Sequence, residues 1–129
     1  MAKTALVTGA SSGIGREIVR DLSARGFRVI LSARREERLR ELAEELGDNT
    51  RVIVCDVSDR EECLRLYEET KSEKISVLVN CAGFGAVGSF DKLPLDTELK
   101  MIDTNITAVH MLTKLFLKDF VAADRGYIM

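Results

Sequence analysis

Several things are scarce in this sequence, and each scarcity removes a class of function. Its three cysteines, Cys55, Cys63 and Cys81, form no C-x-x-C pair. The one histidine, His110, is far from them in sequence, so metal-ligand spacing is missing. An odd number of cysteines without such pairing argues for reduced, buried thiols. Apolar runs extend over only a few residues, well short of the ~20 that a membrane-spanning helix needs. The formal net charge is -2, which announces no phosphate-binding face for nucleic acid. The first residues carry no apolar core or cleavage site of a signal peptide, and the expectation is a cytoplasmic protein. Internal repeats and low-complexity linkers are also missing.

What is present is an ordinary globular composition. The chain has 129 residues, 46% apolar and 31% charged, enough for one domain around a single core. Short apolar runs alternate with helical patterns. Ala5–Val7, Val29–Leu31, Val52–Cys55 and Val77–Val79 read as strands, and Gly126–Met129 as the beginning of a fifth. Between them, Ile14, Ile18, Val19 and Leu22 recur at helical spacing, and Gly26 closes that helix. Leu39, Leu42, Ala43 and Leu46 do the same from Arg35 to Leu46. A third helix is expected from Asp59 to about Lys71, capped by Ser58 or Asp59. After a Gly-rich loop holding the single proline, Pro94, Asp96 is expected to cap a long helix over 97–123. The strands are continuously apolar, as a sheet covered on both faces requires. Strict alternation of strand and helix predicts a doubly wound α/β fold of the Rossmann type over residues 1–129. The parallel strands are expected in the order 3-2-1-4-5, in a truncated sheet of flavodoxin-like size.

The junction between the first strand and first helix reads Thr8-Gly9-Ala10-Ser11-Ser12-Gly13-Ile14-Gly15. Small residues here let a pyrophosphate approach the backbone, and the following helix offers free N–H groups and a partial positive charge. In isolation such a turn also fits a mere tight connection. About twenty residues on, dinucleotide folds place an acidic residue that holds the ribose 2′-hydroxyl. The second strand instead ends Leu31-Ser32-Ala33-Arg34-Arg35, with no carboxylate. An arginine grips a 2′-phosphate through paired, charge-assisted hydrogen bonds. NADP(H) is therefore favoured over NAD(H), with Arg34 the first candidate and Arg35 the second. The alternative is that these arginines only open a charged helix.

The pattern T-G-x-x-x-G-x-G resembles the fingerprint of the classical short-chain dehydrogenases/reductases. Three further motifs follow at that family's spacing: Asp56-Val57 after the third strand, Asn80-Cys81-Ala82-Gly83 after the fourth, and Asn105 in the long helix. Asn80 to Met129 is similar to bacterial reductases of the 3-oxoacyl-carrier-protein type. The resemblance implies that Gly9, Ser11, Ser12, Gly13, Ile14 and Gly15 cradle the dinucleotide. It implies adenine contacts from Asp56 and Val57, and a ribose lining from Asn80, Ala82 and Gly83. Asn105 corresponds to a member of the family's catalytic tetrad, but a helix kink between Thr104 and Thr107 is the favoured reading here. Cys81 stands where the family has a second Asn.

The family's remaining chemistry needs a Ser and a Tyr-x-x-x-Lys. Tyr67 and Lys71 have that spacing but precede the fourth strand, and the match is read as accidental. Tyr127 has no such lysine. The family's Ser and Tyr are expected beyond Met129, which implies a chain truncated before its active site and inactive alone. An exposed strand edge and the long helix 97–123 then predict a homodimer or larger assembly. Three readings stay open: part of an NADP(H)-dependent carbonyl reductase, a stand-alone nucleotide-binding module, and a self-assembling folding unit.

Overall fold

A computed structural model describes residues 3–129. Five parallel strands, β1 (Thr4–Thr8), β2 (Arg28–Ala33), β3 (Thr50–Val54), β4 (Ile75–Val79) and β5 (Tyr127–Ile128), form one sheet in the order β3-β2-β1-β4-β5. This is the order expected from the alternation of elements. Helices α1 (Gly13–Ala24), α2 (Glu36–Leu46), α3 (Arg60–Thr70), α4 (Leu95–Ile102) and α5 (Ala108–Ala123) complete the chain.

Every residue of β1 is buried, as a central strand covered on both faces must be. Successive side chains of a strand point to opposite faces, so Leu6 and Val7 feed two separate cores. Leu6, Ile30 and Leu78 meet Leu66 of α3 and Leu112, Phe116 and Phe120 of α5. Val7, Val29, Leu31 and Val79 meet Val19 of α1 and Leu39 and Leu42 of α2. Complete burial of each such side chain is worth about 1.5–3 kcal/mol, so these two layers hold the helices to the sheet. The thiols of Cys55 and Cys63 are free and buried. Each donates to a carbonyl oxygen, Cys55 to Glu62 at 3.4 Å and Cys63 to Val57 at 3.3 Å.

The structure sharpens the helix boundaries expected from the sequence and shifts one of them. Asp59, not Ser58, caps α3, its carboxylate accepting from the Glu61 N–H at 2.9 Å. The helix α4 begins at Leu95 with Pro94 before it, so Asp96 lies in its first turn instead of capping it. Proline's fixed φ and lack of an N–H suit that position. The single long helix is also interrupted: Asp103–Thr107 form a π turn between α4 and α5. Among the described residues no helix is long and apolar enough to cross a membrane. Ile102, Ile106, Leu117 and Val121 of the α4–α5 segment are exposed.

Candidate nucleotide site

Beyond the C-terminal ends of β1, β2 and β4 lies a cavity of about 290 Å³, where strand order reverses about β1. Ligands of open α/β sheets bind at such a crevice. Its floor is the Gly-rich turn. Gly9 has φ +62°, and a β-carbon there would stand 2.6 Å from the Ala82 nitrogen. A β-carbon on Gly15 would stand 2.2 Å from the Gly9 carbonyl oxygen. These two glycines therefore let the turn, the start of α1 and the loop after β4 pack together. Gly13 differs: it also has positive φ, but the space a side chain would fill is open.

Thr8 fastens the turn to its neighbour. Its Oγ1 accepts from the N–H groups of Cys81 at 3.1 Å and Ala82 at 3.2 Å, and donates to the Val79 carbonyl at 3.4 Å. The first turn of α1 is left bare. Ser12 makes no side-chain cap, and no acidic residue stands in the first turn. Its uncapped N–H groups and positive end of the helix dipole face the cavity, an arrangement suited to an anion. Ile14 is 76% exposed at the mouth.

The opposite wall carries Ser32, Ala33, Arg34 and Arg35. Among the described residues the buried Ser32 hydroxyl has no oxygen or nitrogen partner and lies near the Cys55 thiol, although it lines the cavity. A buried hydroxyl is normally satisfied, so this one fits a polar ligand that enters between β1 and β2. Arg34 and Arg35 make no ion pair among the described residues, whereas Glu36 of the same segment pairs with Arg40 at 3.3 Å. The cavity walls thus offer uncapped N–H groups, an unsatisfied hydroxyl and free guanidinium groups, a donor set that fits a dinucleotide phosphate ester.

The structure gathers most of the sequence-derived residues here: Gly9, Ser11 to Gly15, Arg34, Arg35, Val57, Ala82 and Gly83 all line the cavity. Asp56 and Asn80 do not. The Asp56 carboxylate accepts from the Ser58 N–H at 3.0 Å and hydroxyl at 2.7 Å, forming a local turn. The Asn80 amide donates to Thr113 Oγ1 at 3.1 Å, tying the end of β4 to α5. Asn105 lies in the π turn. Its Oδ1 accepts from the Phe84 N–H at 3.0 Å and its Nδ2 donates to the Phe84 carbonyl at 2.8 Å. It therefore braces the loop after β4 with both ends of its amide. Six wall residues were not among the expected site residues: Ser32, Ala33, Cys55, Cys81, Phe84 and Thr104. Ser32 and Ala33 stood in the stretch that lacks a carboxylate and Cys81 within the Asn80–Gly83 motif, while the other three carried no signal.

Tyr67 sits elsewhere, on α3, and Lys71 opens the 3-10 turn Lys71–Glu73 just after it. The Tyr67 hydroxyl donates to Asp119 at 2.7 Å, which pushes its pKa up to about 12, against what proton transfer near neutral pH needs. Lys71 lies 5.9 Å over the tyrosine ring and pairs with Glu68. This tyrosine–lysine spacing serves packing. His110 lies on the exposed side of α5, outside the nucleotide cavity.

A family model described as short chain dehydrogenase matches residues 3–129. The chain belongs to the short-chain dehydrogenase family. An uncharacterized oxidoreductase of Staphylococcus saprophyticus is 35% identical, the match covering 98% of this chain and 57% of that protein. A 3-oxoacyl-[acyl-carrier-protein] reductase of Rickettsia prowazekii is also 35% identical, over 98% of this chain and 52% of its own length. Among solved structures, a metagenomic short-chain oxidoreductase in complex with NADP superposes with a TM-score of 0.92 at 33% identity, covering 98% of this chain and 59% of that one. This short-chain dehydrogenase chain spans about half the length of the curated relatives it matches. Its Rossmann sheet, 3-2-1-4-5, is thus that of a dinucleotide-binding family, with the glycine turn at the expected place.

Proposed function

We propose that this chain supplies the NADP(H) site of a short-chain oxidoreductase that interconverts carbonyl and alcohol groups. The observation that carries the reading is the bare N-terminus of α1, which opens onto a cavity whose other wall holds two unpaired arginines. In this reading the pyrophosphate rests over Gly13 and the first N–H groups of α1. Arg34, assisted by Arg35, takes the 2′-phosphate where an acidic residue would repel it. The Ser32 hydroxyl gains a partner, and Val57 flanks the adenine. Asn105 holds the loop that carries Ala82 and Gly83 against the ribose. When bound, the nicotinamide supplies or accepts hydride. Among the described residues no tyrosine–lysine pair lines the cavity, and the reading is one of binding.

Calorimetric titration with NADPH and NADH tests it. NADPH is expected to bind about tenfold or more tightly than NADH, about 1.4 kcal/mol. Arg34→Ala is expected to remove most of that preference while leaving NADH affinity nearly unchanged. Equal losses for both cofactors would take Arg34 out of the 2′-phosphate role. Absence of binding to either would overturn the assignment of the cavity.

A further inference from the structure

At the other end of the sheet, the segment after α3, the start of β4 and the end of α5 enclose a second cavity of about 270 Å³. It is separated from the nucleotide cavity by the length of β4, roughly 17 Å at ~3.3 Å per residue. Its floor is apolar, made by Ile75, Phe116 and Phe120, and its rim carries Lys71, Lys74 and Arg125.

The acidic groups around this rim are mostly engaged. Glu73 pairs with Arg28 and Arg51. Glu68 pairs with Lys71 at 2.6 Å. Asp119, itself on the cavity wall, accepts from the Tyr67 hydroxyl at 2.7 Å. Lys74 and Arg125 make no ion pair or side-chain hydrogen bond among the described residues, so two positive charges stand over an apolar floor, with Asp119 as the one carboxylate on the wall.

The rim is shaped by the way two helical segments end. Among the described residues only two non-glycine residues have positive φ, Lys74 at 54° and Asp124 at 53°. One lines this cavity and the other immediately precedes Arg125, which also lines it. Left-handed backbone is unfavourable for a residue with a β-carbon, and lysine lacks the local hydrogen bonding that lets aspartate tolerate it. Both close helical segments, Lys74 the 3-10 turn Lys71–Glu73 and Asp124 the helix α5, where a left-handed residue commonly ends the turn and here shapes the rim.

We propose that this cavity is a second ligand site, for a small organic anion whose head sits between Lys74 and Arg125 and whose apolar body lies on Ile75 and Phe120. A carboxylate and a phosphate monoester share this chemistry. The site is separate from the nucleotide cavity and does not depend on how that cavity is read.

The test is an amide-resolved NMR titration of the ¹⁵N-labelled chain with phenyl phosphate and, in parallel, phenylacetate. Phenol and inorganic phosphate serve as the body and the head alone. At least one aryl anion is expected to shift amides of residues 71–75 and 119–126, to bind more tightly than phenol or phosphate, and to leave residues 9–15 unmoved. Whichever binds tells phosphate from carboxylate. Lys74→Gln and Arg125→Gln should each weaken it about tenfold, as for loss of a charge-assisted contact. Lys74→Gly is the control for folding: it should raise Tm by relieving the backbone and still weaken binding. Shifts confined to the nucleotide cavity, unchanged affinity in the variants, or no saturable shift with either anion would overturn the proposal.

Discussion

Helices α1 and α3 both start just beyond the C-terminal end of a strand, and they are finished in opposite ways. At α3, Asp59 caps the helix and Glu61 and Glu62 follow in the first turn, so the positive end of the dipole is answered within the chain. At α1, Ser12 forms no side-chain cap, the first turn holds no acidic residue, and glycine takes the first helical position. The two helices carry the same kind of orphan N–H groups. The difference is that α3 satisfies them locally, while α1 leaves them pointing into a cavity. A capped helix start contributes stability. A bare one is a place kept for a ligand's charge.

The most severe way to break this contrast is at Gly15. A methyl group there meets the Gly9 carbonyl oxygen, so Gly15→Ala must push α1 away from the turn. The expected loss is about 3 kcal/mol of stability in a urea titration, together with loss of dinucleotide binding. A variant with unchanged midpoint and affinity would show that the turn adapts freely.

A subtler exchange makes α1 resemble α3. Ser12→Asp is expected to stabilise the chain by about 0.5–1 kcal/mol while weakening NADPH binding by about tenfold, because a carboxylate would occupy the place of the ligand's charge. Asp59→Ala makes the reverse comparison. It should cost about 1 kcal/mol and leave NADPH affinity unchanged. Calorimetry and thermal denaturation of both variants read the two effects separately. If stability and affinity moved together in both, the distinction between the two helix starts would be lost.

The smallest effect concerns the thiols near these helix starts. Burial pushes Cys55 up to about 12 and Cys63 up to about 11, from an ordinary value of 9.0. Below pH 9 both folded and unfolded chains keep these protons. Above it the unfolded chain releases them while the folded chain does not, so stability should decline between about pH 9 and 11–12. Urea midpoints measured across that range check the sign. Replacing both cysteines with alanine should flatten that part of the decline.

Much of this was legible in the sequence, and for identifiable reasons. Continuous apolar strands such as Ala5–Val7 announce a doubly covered sheet, because only burial on both faces tolerates them. Glycines that must touch backbone, Gly9 and Gly15, stand at motif positions because any side chain would clash. The hydrogen-bond partners of other positions are distant in sequence. Asn80 finds Thr113, and Asn105 finds Phe84, across separations no local pattern encodes. Ser32 belongs to the site only because the sheet order places β2 beside β1. The interruption at Asn105 was legible as a kink but not as a π turn, since Asp103–Thr107 differs from its helical surroundings in hydrogen-bond pattern and not in periodicity.

That π turn has a geometric consequence for the whole α4–α5 segment. A residue advances an α-helix by about 100° around its axis, and a π turn accommodates one extra. The extra residue therefore works as an angular offset between the two helices. It sets α5 with Leu112, Phe116 and Phe120 inward, while Leu95, Leu99 and Ile102 of α4 remain exposed. Deleting a single position from Asp103–Thr107 would dial α4 around by about 100° and turn Asn105 out of register with Phe84. The orientation of one helix and the fastening of the cavity loop are thus fixed by the same count of residues.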